Sequence, residues 1–328
     1  MHKSSLVTKI LALFLFAFIS IFSHAQSPAD DSKNVKIIIP WPSGGANDLL
    51  GRDFAFFLGE KIGKRIVIDN KGGANGLIGA EAVARSIPDG NTIMFHSITS
   101  HATNAILAPK LPYDTFKDFA PVSQIASLDL VLVAHPSVPV KSISDLVALD
   151  KAKPRSISYA SFGNGSMAHL AGELLNQKSG MDLQHVPYKG GGPALVDTLA
   201  GHVQLYFAGI DVALQHIQSG ALVPIAVTGS TRSSLLPNVP KIAETPGLSD
   251  YEARIYYGIW VPGGTPSSTV NKLYQQTSAV ISSPAFKKKI ESEGFITASN
   301  SSPEKMTATM NSQIEILGKV IKQAKILP

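Results

Sequence analysis

The sequence predicts an α/β protein of two similar lobes, each a mostly parallel sheet flanked by helices. Short runs rich in Ile and Val alternate with longer segments of helical period along the 328 residues. Two strand–loop–helix units with matching glycine-rich loops lie far apart in the chain. Two further stretches, 119–124 and 256–264, have the composition of crossings between lobes.

The first unit opens with Val35-Lys36-Ile37-Ile38-Ile39, an apolar run that reads as a buried strand. A loop from Pro40 to Asn47 leads to a helix from Asp48 with Leu50, Phe54, Phe57 and Leu58 on one face; Gly63 ends it and 65–69 is the next strand. In the second unit 156–160 is a strand, 161–166 a glycine-rich loop, and a helix from Met167 carries Ala168, Ala171, Leu174 and Leu175 on one face until Gly180. Residues 183–186 then lead into Pro187-Tyr188-Lys189-Gly190-Gly191, as the first unit closes on Lys71-Gly72-Gly73. The expected division is a first lobe over 26–122, a second over 123–255, and a return to the first over 256–328. Helices at 267–281, 284–293 and 303–325 complete that return. Two crossings make a hinge, which permits closure over a ligand.

Lys3 and Lys9 precede the uncharged run Ile10 to Phe22 and then Ser23-His24-Ala25, the pattern of a secretory signal cut after about Ala25. An exported protein is therefore expected. It has no cysteine, so its stability rests on buried core and not on disulfides. The formal charge is +5, of which the signal lysines supply two, and the only basic run is Lys287-Lys288-Lys289 at a helix end. That argues against a nucleic-acid partner. The nine histidines form no ligand pattern, since His96 and His101 do not make H-E-x-x-H, so neither a metal nor another cofactor is expected.

Ser161-Phe162-Gly163-Asn164-Gly165-Ser166-Met167-Ala168-His169-Leu170 admits three chemistries. As a dinucleotide fingerprint it lacks an acid at the end of the following strand. As a nucleophile site it would pair Ser166 with His169, but the G-x-S-x-G elbow is absent; Ser166 as a helix cap with His169 packed beside it is the simpler account. The third reading uses only backbone N–H groups, the Ser161 and Ser166 hydroxyls and the positive end of the helix dipole to hold an anion. Ser43-Gly44-Gly45-Ala46-Asn47 has the same ingredients, which points to one small anion held between two helix N-termini. Neither loop contains arginine, so binding is expected to be insensitive to salt.

In order along the chain stand Pro40-Trp41-Pro42-Ser43-Gly44-Gly45, Asp48-Leu49-Leu50-Gly51-Arg52, Asn70 with Gly72-Gly73-Ala74, and Pro88-Asp89-Gly90. Leu111-Pro112-Tyr113-Asp114, Asp118-Phe119-Ala120-Pro121-Val122, the 161–170 loop, His185-Val186-Pro187-Tyr188-Lys189-Gly190 and Trp260-Val261-Pro262-Gly263-Gly264-Thr265-Pro266 follow. In this ordered series the chain closely resembles the tripartite tricarboxylate transporter substrate-binding proteins, the Bug family of periplasmic receptors. The resemblance implies a two-lobe periplasmic binding protein fold of type II character and no catalysis. It also implies a monomer in the periplasm that passes a small carboxylate to transporter subunits in the membrane.

The resemblance further implies that the loops from Pro40 to Asp48 and from Ser161 to Ser166 grip the carboxylate through backbone N–H groups and bridging waters. Trp41, Ser43, Gly44, Gly45, Ala46 and Asn47 would do so from one lobe, and Ser161, Phe162, Gly163, Asn164, Gly165 and Ser166 from the other. The loop at 97–103 adds Ser97 and Thr99. Ala208 stands where many members have an Asp that can meet a ligand amino group; Asp211 is nearby but unaligned, which speaks against an amino-acid ligand. Trp41 and Phe162 would flank an apolar or aromatic ligand body if they do not simply pack within the lobes. The alternatives are a secreted serine hydrolase using Ser166 and His169, and a periplasmic module that senses a ligand for a signalling partner.

Overall fold

The computed structural model describes residues 34–108, 110–299 and 301–326; the expected signal peptide lies outside them. The chain runs β1 (Val35–Ile39), α1 (Ala46–Ile62), β2 (Ile66–Asn70), α2 (Leu77–Ala84), β3 (Thr92–Ser97), α3 (Ile98–Leu107) and β4 (Phe119–Ala134). It continues through α4 (Ile143–Ala152), β5 (Ser158–Ser161), α5 (Met167–Ser179), β6 (Gln184–Pro187), α6 (Gly191–Leu199), β7 (Leu205–Gly209), α7 (Ile210–Gln218) and β8 (Val223–Val227). The last part is β9 (Arg254–Pro262), α8 (Ser267–Ser282), α9 (Pro284–Glu291), β10 (Phe295–Thr297) and α10 (Pro303–Gln323).

The two βα units form as their periodicity predicts. Ile37, Ile38 and Ile39 are buried on both faces of β1 because helices cover each side. Phe54 and Leu58 anchor α1, and Gly63 and Gly180, both left-handed (φ 66° and 71°), stop α1 and α5. The strands join in one path, β2-β1-β3-β9-β4-β7-β5-β6, with β8 and β10 also on β4. Within each unit the pairing is parallel, β1 with β2 and β3, and β5 with β6 and β7. Antiparallel pairing is confined to the long strands that connect the halves and to the two short strands on them.

β4, at 16 residues, belongs to both halves. It pairs with β9 as far as Asp129, which faces Arg254, and from Leu130 onward with β7 and β8. At that change of partner Arg254 clasps Asp129 through two hydrogen bonds of 2.6 and 3.1 Å, and the Leu130 N–H donates to Thr228 Oγ1 at 2.9 Å. The sequence places the crossing near residues 119–124, where β4 begins; the partners change further along. No turn residue marks that point, because β4 is one strand that is buried from Ile125 to Ala134.

The C-terminal helices return to the first half, α8 against α1 and β4, α9 against α1, and α10 against α3 and β4. α10 also reaches α5 in the second half, where Gln177 Nε2 donates to the Val320 carbonyl at 3.2 Å. The largest apolar cluster runs through both halves, from Ile37 and Phe54 to Leu132 and Phe207.

Candidate ligand-binding site

A cavity of about 340 Å³ lies where the two halves meet. The first half contributes Trp41, Ser43, Gly44, Gly45, Ala46, Asn47 and Ser97; the connecting strands contribute Leu128, Leu130, Ile255 and Tyr257. From the second half come Phe162, Met167, residues 189–193, Leu195, Tyr206, Gly209, Asp211 and Val212. The walls are thus mostly apolar, with polar groups gathered at a few points, as small-molecule sites require.

The loop before α1 is held by a buried acid. Asp48 accepts hydrogen bonds from the Gly44 N–H, Arg52 Nε and Asn70 Nδ2, each at 2.9 Å. Burial pushes the Asp48 pKa up, but the hydrogen bonds from Arg52, Gly44 and Asn70 outweigh it and hold the carboxyl below its usual value. Asn70 Nδ2 also donates to the Trp41 carbonyl at 3.0 Å, and Trp41 Nε1 donates to His96 Nδ1 at 3.2 Å, so backbone and indole are both fixed. With Gly44 engaged by Asp48, the amides of Ala46 and Asn47 at the start of α1 find no partner among the described residues. Asn47 Oδ1 is likewise buried without a partner. An open helix N-terminus of this kind favours an anion.

The loop before α5 is closed on itself. The Gly163 N–H donates to Ser161 Oγ at 3.1 Å, the Gly165 N–H to His169 Nδ1 at 3.1 Å, and Ser166 Oγ to the Gly163 carbonyl at 2.6 Å. Ser161 Oγ also meets His185 Nε2 at 2.6 Å, and the rings of His169 and His185 stack at 3.7 Å. Burial lowers the pKa of His169 to about 4 and, with its neighbour's charge, that of His185 to about 3, so the stack is neutral. Ser166 caps α5 through the His169 N–H, while the His169 ring faces the Gly165 amide and not the Ser166 hydroxyl. Of this loop only Phe162 lines the cavity; Ser161, Gly163, Asn164, Gly165 and Ser166 do not, and Asn164 is exposed. The N-terminus of α6 also reaches the cavity, where Gly191 and Gly192 follow Lys189 and Gly190, as does Met167 at the start of α5. Their amides have no partner among the described residues.

Thr99 is buried beside the cavity, accepting from the Tyr256 N–H at 3.2 Å and facing Gln313 at 3.5 Å, so it ties α3 to β9 and α10. Ser97 lines the cavity and caps α3, accepting from the Ser100 N–H at 3.0 Å. Ala208 packs in an apolar cluster of the second half with Val131 and Tyr206. Sequence reasoning missed Lys189 and Asp211 as lining residues. The repeat of lysine and two glycines at 71–73 and 189–191 was a signal for the first; Asp211 had none, since only the turn from β7 into α7 brings it to the cavity. Lys189 also supplies a cation that the expectation of salt-insensitive binding left out. Among the described residues no three metal-ligating side chains cluster.

The model of the tripartite tricarboxylate transporter family receptors matches residues 50–326. This chain belongs to that family. It is a family of solute-binding receptors, not of enzymes, and its members have the two-lobe periplasmic binding protein fold. BugT of Bordetella pertussis is 32% identical over 88% of this chain and 89% of its own. A protein of R. palustris solved with adipate is 33% identical, with a TM-score of 0.86 over 90% of this chain and 99% of its own. MatC of the same organism, solved with bound malate, is 26% identical, with a TM-score of 0.80 over 88% and 98%.

Proposed function

We propose that this receptor works outside the cytoplasmic membrane, closes its two halves on a small organic carboxylate, and delivers it to a tripartite tricarboxylate-type transporter. The observation that carries this reading is the open N-terminus of α1 in a mostly apolar cavity between the halves. The carboxylate sits at the Ala46 and Asn47 amides, and the organic body lies between Trp41, Phe162 and the wall formed by Leu130 and Ile255. Gly191, Gly192 and Lys189 face the ligand from the second half. Closure bends the connecting strands near the Asp129–Arg254 pair, with lobe boundaries there. Relatives solved with adipate and malate support a carboxylate as the ligand class.

Thermal shift with carboxylic acids, each paired with its methyl ester, tests the proposal. A ligand at a hundred times its Kd adds about 2.7 kcal/mol, which moves the melting point by a few degrees. Shifts confined to the acids are expected; equal shifts with the esters would sink the clamp at α1.

A further inference from the structure

We infer that the organic body of the ligand is a flat aromatic ring, and that His96 selects for it by fixing the plane of the Trp41 indole on which that ring lies. This rests on the carboxylate reading above for the other end of the ligand. Trp41 is half-buried, packs on the largest apolar cluster and lines the cavity. Its one side-chain donor, Nε1, is spent on His96 Nδ1 at 3.2 Å, and Asn70 Nδ2 holds its carbonyl at 3.0 Å. The indole therefore offers the ligand ring surface and no hydrogen bond.

His96 is fully buried on β3 and does not line the cavity, so it reaches the ligand only through Trp41. Its ring lies against those of His101 and Trp260, with centroids at 5.9 and 6.5 Å. Gly76 also borders it, where a Cβ would come within 2.4 Å of His96 Cε1 and 2.7 Å of Nε2. Burial and the nearby His101 hold the His96 pKa well below its ordinary value, so the ring is neutral and Nδ1 is free to accept. An imidazole packed this closely keeps its orientation, and the indole bonded to it keeps one plane.

The other walls show what a fixed plane is for. Leu128, Leu130 and Ile255 supply apolar surface, and an alkyl chain gains the same area against any of it, whatever the angle of Trp41. A flat ring laid on a ring of fixed plane gains about two- to tenfold in affinity beyond its area, with less ordering left to do on binding. Phe162 lines the cavity from the second half, so closure adds a second ring.

The test is calorimetry on acids that share carboxylates and ring size but not flatness: benzoate with cyclohexanecarboxylate, and terephthalate with trans-cyclohexane-1,4-dicarboxylate. The aromatic member should bind about fivefold or more tightly in at least one pair. His96→Leu, which leaves the indole N–H without its acceptor, should cut that preference to under about twofold and leave the saturated acid within about twofold. His96→Asn, which carries an acceptor on Cγ as Nδ1 is carried, should restore it. Trp41→Leu should abolish the preference, and it tests the platform even if neither His96 variant folds. Trp41 and Trp260 are the two tryptophans, so Trp260→Phe leaves Trp41 as the sole emitter. In that background the aromatic acids should quench its fluorescence, and His96→Leu should lower its anisotropy. A saturated acid bound as tightly as its aromatic partner in both pairs, or a preference that Trp41→Leu or a folded His96→Leu leaves intact, overturns the inference while the carboxylate clamp stands. If acids bind no better than their methyl esters, or no acid binds, the clamp itself fails and this inference with it.

Discussion

The loops at 40–47 and 161–166 contain the same ingredients: glycines, serines and a helix N-terminus. The side chains that engage them differ, while the first helical amides are unpaired among the described residues in both. Before α1, a buried acid takes the Gly44 amide, and the first amides of the helix are left open to the cavity. Before α5, Ser161, His169 and the Gly163 carbonyl take up the donors of Gly163, Gly165 and Ser166, with His185 stacked behind them, while the Met167 and Ala168 amides find no partner among the described residues. A glycine-rich loop before a helix is an anion site only where its N–H groups are not already engaged, and that depends on side chains from other elements.

The largest expected effect separates the loops by one glycine in each. Gly45 has a φ of −96° and nothing within 4 Å of a Cβ, so Gly45→Leu should fold normally and lose about 100-fold in carboxylate affinity, roughly 3 kcal/mol. Gly165 has a φ of +70°, and its Cβ would stand 2.6 Å from Leu107 Cδ1, so Gly165→Val should lower the melting point whether or not ligand is present. Reversal of these two outcomes in calorimetry and thermal melts would break the comparison.

Asp48→Ala should cost about 2 kcal/mol of stability, because the Gly44 and Asn70 donors lose their acceptor, and should weaken ligand binding in parallel. The folded pKa of Asp48 is depressed, so its contribution is present above pH 4 and lost as pH falls through the folded value. A melting curve of Asp48→Ala that kept the parent's acid dependence below pH 4 would contradict this role.

The histidine pair gives the third effect. His169 and His185 are neutral in the fold but bind protons when unfolded below about pH 6.5, so they draw stability down as pH falls from 6.5 toward 4. His185→Gln, which keeps a polar end for Ser161, should flatten that slope by up to about 1.4 kcal/mol per pH unit. Comparing variant with parent in melts between pH 4 and 7 cancels the opposing contributions of buried acids. The smallest effect belongs to Lys189→Gln. It should weaken a dicarboxylate only a few-fold, under about 1 kcal/mol, and remove most of the salt dependence of its binding. Binding that is insensitive to salt before the substitution would exclude Lys189 from the contact.

The sequence by itself determined the βα units, the glycines that end their helices and the family. Each of these follows from local periodicity, from a φ that only glycine adopts readily, or from the order of short motifs. Tertiary structure alone decided which side chains engage each of the two similar loops. His185 lies on a different strand from the loop it braces, and Asn70 arrives on β2 to fix the other. It also decided where β4 changes partners and that Asp211, rather than Ala208, reaches the cavity. Those outcomes depend on contacts between elements distant in the chain, where neither spacing nor composition leaves a local trace.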